Sequence, residues 1–325
     1  MLAKNEFSQL KSVIVGDATG ARIPMLDKSL RCVNYADKKD LKDIPKSGLY
    51  PEQVIDEANE DIEIFITFLE SQNIKVFRPE QNKPAYYNYC PRDVLLTHGE
   101  QLIFAPMSLR ARKNEHLAYT KLFPESCQTT MPISRDDDLY NENCIGNKKV
   151  LALNETEPCF DAANVLRHNQ DVFYLVSNSG NIAGADALQK CLGPETTVHK
   201  IENVYSYMHI DSTLAILRDG LLLVNPDRIK DKSQLPKVLQ NWDVIFAPPP
   251  VDIGHYPGYC NSSPWVSINL LSINENLVVL EQRQDNLRKI LESYKIECAM
   301  LPMRHARTLG GCFHCITVDV ERDHV

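Results

Sequence analysis

The sequence predicts an α/β protein built as a closed ring of roughly five ββαβ-like units. Three observations predict it. Apolar runs come in pairs around short turn-forming segments, a helix–strand–proline cadence recurs, and one strand pair is split between the two ends of the chain. Units stacked about an axis bury a core that none of them buries alone. A two-domain mixed α/β protein is the alternative that this pattern leaves open.

The elements follow in order. Residues 12–15 form a first strand whose partner is the run 316–320 near the other end. Residues 51–71 place Val54, Ala58, Ile62, Phe65 and Leu69 on one helical stripe, with Pro51 suited to the first turn. A strand over 74–78 stops at Pro79. Runs 94–96 and 102–104 flank His98-Gly99-Glu100, and runs 165–166 and 172–176 flank His168-Asn169-Gln170. Runs 214–217 and 221–224 flank Asp219-Gly220, a strong short hairpin turn. A strand over 243–247 then follows a helix-compatible stretch and ends at Pro248. Runs 268–273 and 277–280 flank Asn274-Glu275-Asn276, and the helix candidate 284–294 leads to a strand over 296–301 that ends at Pro302.

Composition narrows the function. The 325 residues carry 35 Lys+Arg against 43 Asp+Glu, a formal charge of −8, which argues against a chain built to hold nucleic acid or an anionic membrane surface. No apolar run approaches the ~20 residues that a membrane-spanning helix needs, and residues 1–9 show no secretory signal. Ten cysteines are scattered from Cys32 to Cys315, with one CxxC pair, Cys312 and Cys315. Without an export signal they read as free thiols, one of them reactive. A zinc or redox reading of the CxxC is weak, because no second ligand pair follows. The run Asp136-Asp137-Asp138 reads as a solvated loop.

The residue opening each strand pair carries the chemistry. Asp93, Asp161, Asp211 with His209 two before it, Ser262 and Ser263, and Cys315 stand just ahead of successive strands. In a ring they converge on one end of the axis. Three carboxylates brought together raise one another's pKa unless a cation joins them, and a planar guanidinium suits paired carboxylates. A thiol beside an imidazole supplies a nucleophile and a proton shuttle. On an extended segment, His209 and Asp211 would point to one face. Each residue also has an ordinary reading: Asp93 and Asp161 suit turns or caps, His209 suits a surface, and Cys315 is one thiol of ten. The glycines of Gly310-Gly311-Cys312-Phe313-His314-Cys315 allow a substrate close to the backbone.

Six strings in order carry a family resemblance: Cys90-Pro91-Arg92-Asp93, Glu157-Pro158-Cys159-Phe160-Asp161-Ala162-Ala163, Met208-His209-Ile210-Asp211, Asn225-Pro226-Asp227-Arg228, Ser262-Ser263-x-Trp265 and Leu309-Gly310-Gly311-x-Phe313-His314-Cys315. With Asn5-Glu6-Phe7 and Val13-Ile14-Val15-Gly16 at the start, the chain closely resembles the arginine amidinotransferases, which act on glycine, inosamine phosphates or cyanobacterial toxin precursors. The resemblance implies one catalytic domain over residues 1–325 with the five-bladed α/β propeller of guanidino-modifying enzymes. It implies Cys315 as nucleophile, His209 as general acid/base and Asp161 as its acidic partner. Asp93 and Asp211 would grip the guanidinium of arginine, and Arg228 with Ser263 or Ser262 would receive its carboxylate. The implied reaction is a ping-pong transfer through an amidino-cysteine to a small primary amine such as glycine, releasing ornithine, with no metal or organic cofactor. A cytoplasmic homodimer is the implied setting. Cys159 would support Asp161.

Two positions depart from the family pattern. Cys312 replaces a third glycine, which raises a reversible Cys312–Cys315 disulfide against the plainer reading of one small residue replacing another. Ser206 replaces an Asn found two residues before Met208 in glycine-using relatives, so the acceptor pocket, to which Ser206 and Met208 belong, differs. Two rivals remain: an arginine deiminase-like hydrolase on the same fold, and a non-catalytic guanidino-ligand binding protein.

Overall fold

The structure, a computed structural model, describes residues 3–80 and 87–323; of the N-terminal segment read for export features, residues 1–2 lie outside it. In chain order the regular elements are β1 (Leu10–Val15), β2 (Arg22–Ile23), α1 (Lys28–Val33), β3 (Gly48–Leu49), α2 (Glu52–Ser71), β4 (Lys75–Phe77), β5 (Leu95–His98), β6 (Gln101–Phe104) and β7 (Gln128–Thr130). They continue with β8 (Val165–His168), β9 (Asp171–Leu175), α3 (Ile182–Leu192), β10 (Thr197–Ile201), β11 (Leu214–Arg218), β12 (Leu221–Val224) and β13 (Asp243–Phe246). The last are β14 (Leu271–Asn274), β15 (Leu277–Glu281), α4 (Asp285–Ser293), β16 (Glu297–Leu301) and β17 (Thr317–Arg322).

Five three-stranded sheets share one wiring among the described residues: an antiparallel pair, then a third strand added parallel to the second. The split pair forms as expected. β17 runs antiparallel to β1, with Ile14 opposite Val318, and β4 joins β1 in parallel. Central strands buried on both faces read as continuous apolar runs, and Leu221–Val224 is buried throughout. The turn opening each sheet packs against the next: 91–93 on 162–164, 162–164 on 210–212, 210–212 on 264–268, and 264–268 on 306–310. The order closes where Arg92 N–H donates to the Cys315 carbonyl at 3.3 Å.

Helix content departs from a uniform ββαβ repeat. α2 buries the expected stripe, although Pro51 caps it rather than lying in its first turn. The helix-compatible stretch before β13 is two 3-10 turns, Lys232–Gln234 and Lys237–Leu239, with Pro236 between them denying the backbone donor an α-helix needs. Conversely, the third unit carries α3, which residue propensity hides because Gly184 lies inside it. A Cβ there would stand 2.6 Å from the Cys159 carbonyl oxygen, so close packing requires the glycine. The β14 strand begins at Leu271 rather than residue 268, since Pro264–Ile268 turns instead.

The centre of the ring holds charge. Arg167 donates to Glu6 at 2.7 Å and 2.9 Å and to Asp319 at 2.9 Å; Arg92 and Arg322 reach Asp319 at 3.0 Å and 2.9 Å. Burial opposes ionisation of both acids, yet the Arg322, Arg92 and Arg167 charges hold Asp319 far below the usual carboxylate range, and Arg167 leads the same effect on Glu6. Breaking a buried charge cluster leaves its partners uncompensated. Asp319→Asn is therefore expected to cost about 3–5 kcal/mol in urea denaturation. Because the folded pKa values are depressed, this stabilisation is complete above the unfolded value of about 4 and is lost as pH falls toward the folded values, so thermal stability should decline steeply in acid.

Candidate active site

The opening turns deliver their side chains to one mouth. Asp93 ends the turn Pro91–Asp93, Asp161 precedes Ala162–Asn164, Asp211 sits within Ile210–Ser212, and Ser263 precedes Pro264–Ile268. The expected extended path through His209 and Asp211 holds only at His209. The chain turns at Ile210, and both side chains nevertheless reach the same cavity. That cavity measures about 510 Å³ and is lined by every candidate named from the sequence: Cys315, His209, Asp161, Asp93, Asp211, Arg228, Ser262, Ser263, Met208 and Ser206.

The acids divide by partner. His209 Nε2 lies 3.1 Å from Asp161 Oδ2, and its Nδ1 lies 3.5 Å from Asp93 Oδ1. Asp161 Oδ1 accepts both the backbone N–H and the hydroxyl of Ser108 at 2.9 Å. Arg112 donates to Asp93 Oδ2 at 2.6 Å, while Asp93 Oδ1 is buried with no hydrogen-bond partner. Asp211 Oδ2 accepts from the Cys315 thiol at 3.1 Å. Arg228 donates through Nη1 to the hydroxyls of Ser206, Ser212 and Thr213, at 3.0, 2.8 and 2.6 Å. Ser206 also donates to the His209 carbonyl at 3.0 Å, so its hydroxyl supports Arg228 and His209.

Burial and charge set the ionisation. Burial alone would discharge His209, but Asp93, then Asp161 and Asp211, raise it to about 9. Burial works against ionised Asp211 too, and His314 with His209 and Cys315 brings it down to about 2. Asp93 is pushed up, chiefly by burial. The Cys315 thiol is pushed well up by a hydrogen bond with Cys90, then by burial and the Asp211 charge. Burial lowers Arg228 to about 10.

Several participants had no sequence signal. Arg112 was one arginine among many, and Asn269 was an ordinary strand-entry residue. Yet Asn269 Oδ1 accepts the backbone N–H groups of Cys312 and Cys315, at 3.3 and 3.0 Å, holding the turn that presents the thiol. Gly310 lines the cavity, and both glycines before Cys315 also answer to the protein around them. Gly310 has φ 90°, which favours glycine, and a Cβ on Gly311 would stand 2.6 Å from Cys90 Sγ and 2.8 Å from Cys315 Cβ. Cys312 is unbridged and buried in the apolar cluster with Phe313 and Phe65, whereas Cys90 shares the cavity wall with Cys315. Cys159 is buried behind Asp161, where its N–H and carbonyl pair with Asn181. Asp137 belongs to a 3-10 turn and pairs with Arg110 at 2.5 Å. Among the described residues no group of three or more His, Cys, Asp or Glu is arranged to hold a metal ion.

Fold and site together define an α/β enzyme that gathers a thiol, an imidazole and three carboxylates in one buried cavity. No protein-family model matches the chain. It is 39% identical to inosamine-phosphate amidinotransferase 1 of Streptomyces glaucescens, over 98% of this chain and 95% of that one. It is 31% identical to the L-arginine:L-lysine amidinotransferase of Pseudomonas savastanoi pv. phaseolicola, over 98% and 93%. The solved inosamine-phosphate amidinotransferase from Streptomyces griseus superposes with a TM-score of 0.93 at 38% identity, covering 100% of this chain and 97% of that one. The chain belongs to the amidinotransferase family of enzymes.

Proposed function

We propose that this protein transfers the amidino group of L-arginine, through a covalent amidino-Cys315 intermediate, to a small primary amine such as glycine or another amino acid, releasing L-ornithine. The observation that carries this reading is a carboxylate oxygen without a hydrogen bond and an arginine without a carboxylate partner, facing one cavity. Asp93 Oδ1 is buried without a hydrogen bond while Arg112 holds Oδ2, and half-buried Arg228 donates to hydroxyls and a carbonyl. Arginine brings a guanidinium for the open Asp93 oxygen and for Asp211, and a carboxylate for Arg228 with Ser263 or Ser262.

The steps balance. With the guanidinium between Asp93 and Asp211, its positive charge offsets the carboxylates that disfavour the Cys315 thiolate. The thiolate attacks the guanidino carbon, protonated His209 gives its proton to the departing amine, and the C–N bond to ornithine breaks. Neutral His209, oriented by Asp161, then takes a proton from the acceptor amine as that amine attacks, and the C–S bond breaks to return the thiolate. The cycle is ping-pong and draws on side chains alone. Residues 1–325 act as one catalytic domain of propeller form, working as a cytoplasmic homodimer. Ten unbridged cysteines suit a reducing compartment. No helix among the described residues is long and apolar enough to cross a membrane.

Incubation with arginine alone and then with an acceptor panel tests the reading. Ornithine formation that requires an acceptor, with intact protein gaining the mass of one amidino group when the acceptor is withheld, is the expected outcome. Sustained citrulline and ammonia from arginine alone would identify a hydrolase instead. Asp93→Asn removes charge from the guanidinium site. It is expected to raise the arginine KM by at least tenfold and to lower kcat, since hydrogen bonds to charged groups contribute about 1.5–3 kcal/mol. An unchanged arginine dependence would remove Asp93 from the binding site.

A further inference from the structure

His314 is the residue before the thiol, and its imidazole lies beneath the cavity between two acids. Its Nδ1 is 3.1 Å from Asp211 Oδ2, the same oxygen that accepts the Cys315 thiol at 3.1 Å, and its Nε2 is 3.5 Å from Glu6 Oε2. Its backbone is held independently: its N–H donates to the Asn269 carbonyl at 3.3 Å, and its own carbonyl accepts the Thr317 hydroxyl at 3.1 Å and Arg92 Nε at 3.4 Å. The ring position is therefore set by the turn. Ionised carboxylates only accept hydrogen bonds, so acids at both ring nitrogens call for protons on both. We propose that His314 is a positioning residue that acts through Asp211: as an imidazolium pinned between Asp211 and Glu6, it orients the Asp211 carboxylate and offsets its charge, so that Cys315 ionises more readily. The inference rests on Cys315 being the reacting thiol.

The groups facing the ring agree in sign except one. Asp211 on the 210–212 turn and Glu6 on the N-terminal segment favour the charged ring. Arg92 on the 91–93 turn opposes it, but is itself engaged with Asp319 at 3.0 Å and lies 3.8 Å from Glu6. Burial disfavours the charged ring most, with Arg92 next, and the hydrogen bonds to Asp211 and Glu6 overcome both, leaving the ring above its ordinary value. When Cys315 loses its proton, thiolate and Asp211 carboxylate stand side by side. The imidazolium on the same carboxylate oxygen is the nearest fixed cation to that pair among their hydrogen-bond partners. Glu6, through Arg167, ties it into the charged centre of the ring.

The test is the pH dependence of iodoacetamide labelling at Cys315, followed by peptide mass, in the wild type and in His314→Asn. Asparagine keeps an N–H near the Nδ1 position but no charge. The variant's thiol is expected to titrate about one pH unit higher, so that roughly tenfold less thiolate is present at pH 7. A labelling profile matching the wild type would overturn the inference. A purely structural role would lower thermal stability without moving that profile. If His314→Asn does not fold, ring-nitrogen NMR of the wild type decides the matter: a doubly protonated His314 at pH 7 supports the proposal, and a neutral ring overturns it. Residual turnover after complete Cys315 labelling separately reports whether Cys315 is the reacting thiol, whatever the His314 profile shows.

Discussion

Cys315→Ala is expected to abolish turnover, with a loss of about 10⁶, the scale seen when a covalent nucleophile is removed from a well-studied protease. The fold should survive it. Cys315 is a small buried side chain whose turn is held by Asn269 and by the Arg92 bond to its carbonyl, and neither contact uses the thiol. The side-chain hydrogen bonds lost, to Asp211 and with Cys90, contribute on the order of 1 kcal/mol each. Arginine should still bind, because Asp93, Asp211 and Arg228 remain. Calorimetric titration with arginine, thermal melting and intact mass then separate the roles: binding retained, melting little changed and no amidino adduct. Turnover close to the wild type would remove the covalent route altogether.

Asp161→Asn is expected to lower kcat by about 10⁴, as the equivalent exchange does in a serine-protease triad, where the amide enforces the wrong imidazole tautomer. The geometry makes the comparison apt. Ser108 donates twice to Asp161 Oδ1, which fixes that atom as the acceptor and turns the new amide N–H₂ toward His209 Nε2. A nitrogen that should carry a proton is forced to accept one. His209 also loses one of the three carboxylates that raise it to about 9. Rate that depends on protonated His209 falls as pH rises through that value in the wild type, so the alkaline limb of kcat/KM for arginine should move to lower pH in the variant. His209 adds stability in the same direction. Its folded pKa lies above the unfolded value of about 6.5, so its contribution is complete below that value and is lost as pH rises through about 9. A variant with an unshifted limb would show that Asp161 does not set the ionisation of His209.

Much of the architecture is written in local patterns. Asp219-Gly220 marks its hairpin because Gly220, at φ 76°, tolerates the turn, and the α2 stripe repeats at helical spacing. α3 was hidden because Gly184 weakens the propensity that a sequence reading relies on, while the contact requiring it, the Cys159 carbonyl, is 25 residues away in sequence. The stretch before β13 misled in the opposite sense, since its apolar spacing fits a helix and Pro236 prevents one. At the site, the ten candidate residues were legible because they recur at one position of the repeat, lie in the family strings or, as Ser206 does, stand where the chain departs from the family pattern, and every one of them lines the cavity.

The sequence by itself determined the fold class, the strand pairs with their split ends, the residues that open them and the family, because periodicity, turn chemistry and ordered motifs are properties of neighbours along the chain. Only the tertiary structure decided who partners whom. Arg112 holds Asp93 from a distant loop, Asn269 holds the Cys315 turn from the preceding unit, and Glu6 reaches His314 across almost the whole chain. Cys90 rather than Cys312 stands beside Cys315 on the cavity wall for the same reason. These pairings, and the charge states that follow from burial and from nearby ions, depend on closing the ring, which brings together residues whose order in the sequence says nothing of their distance in space.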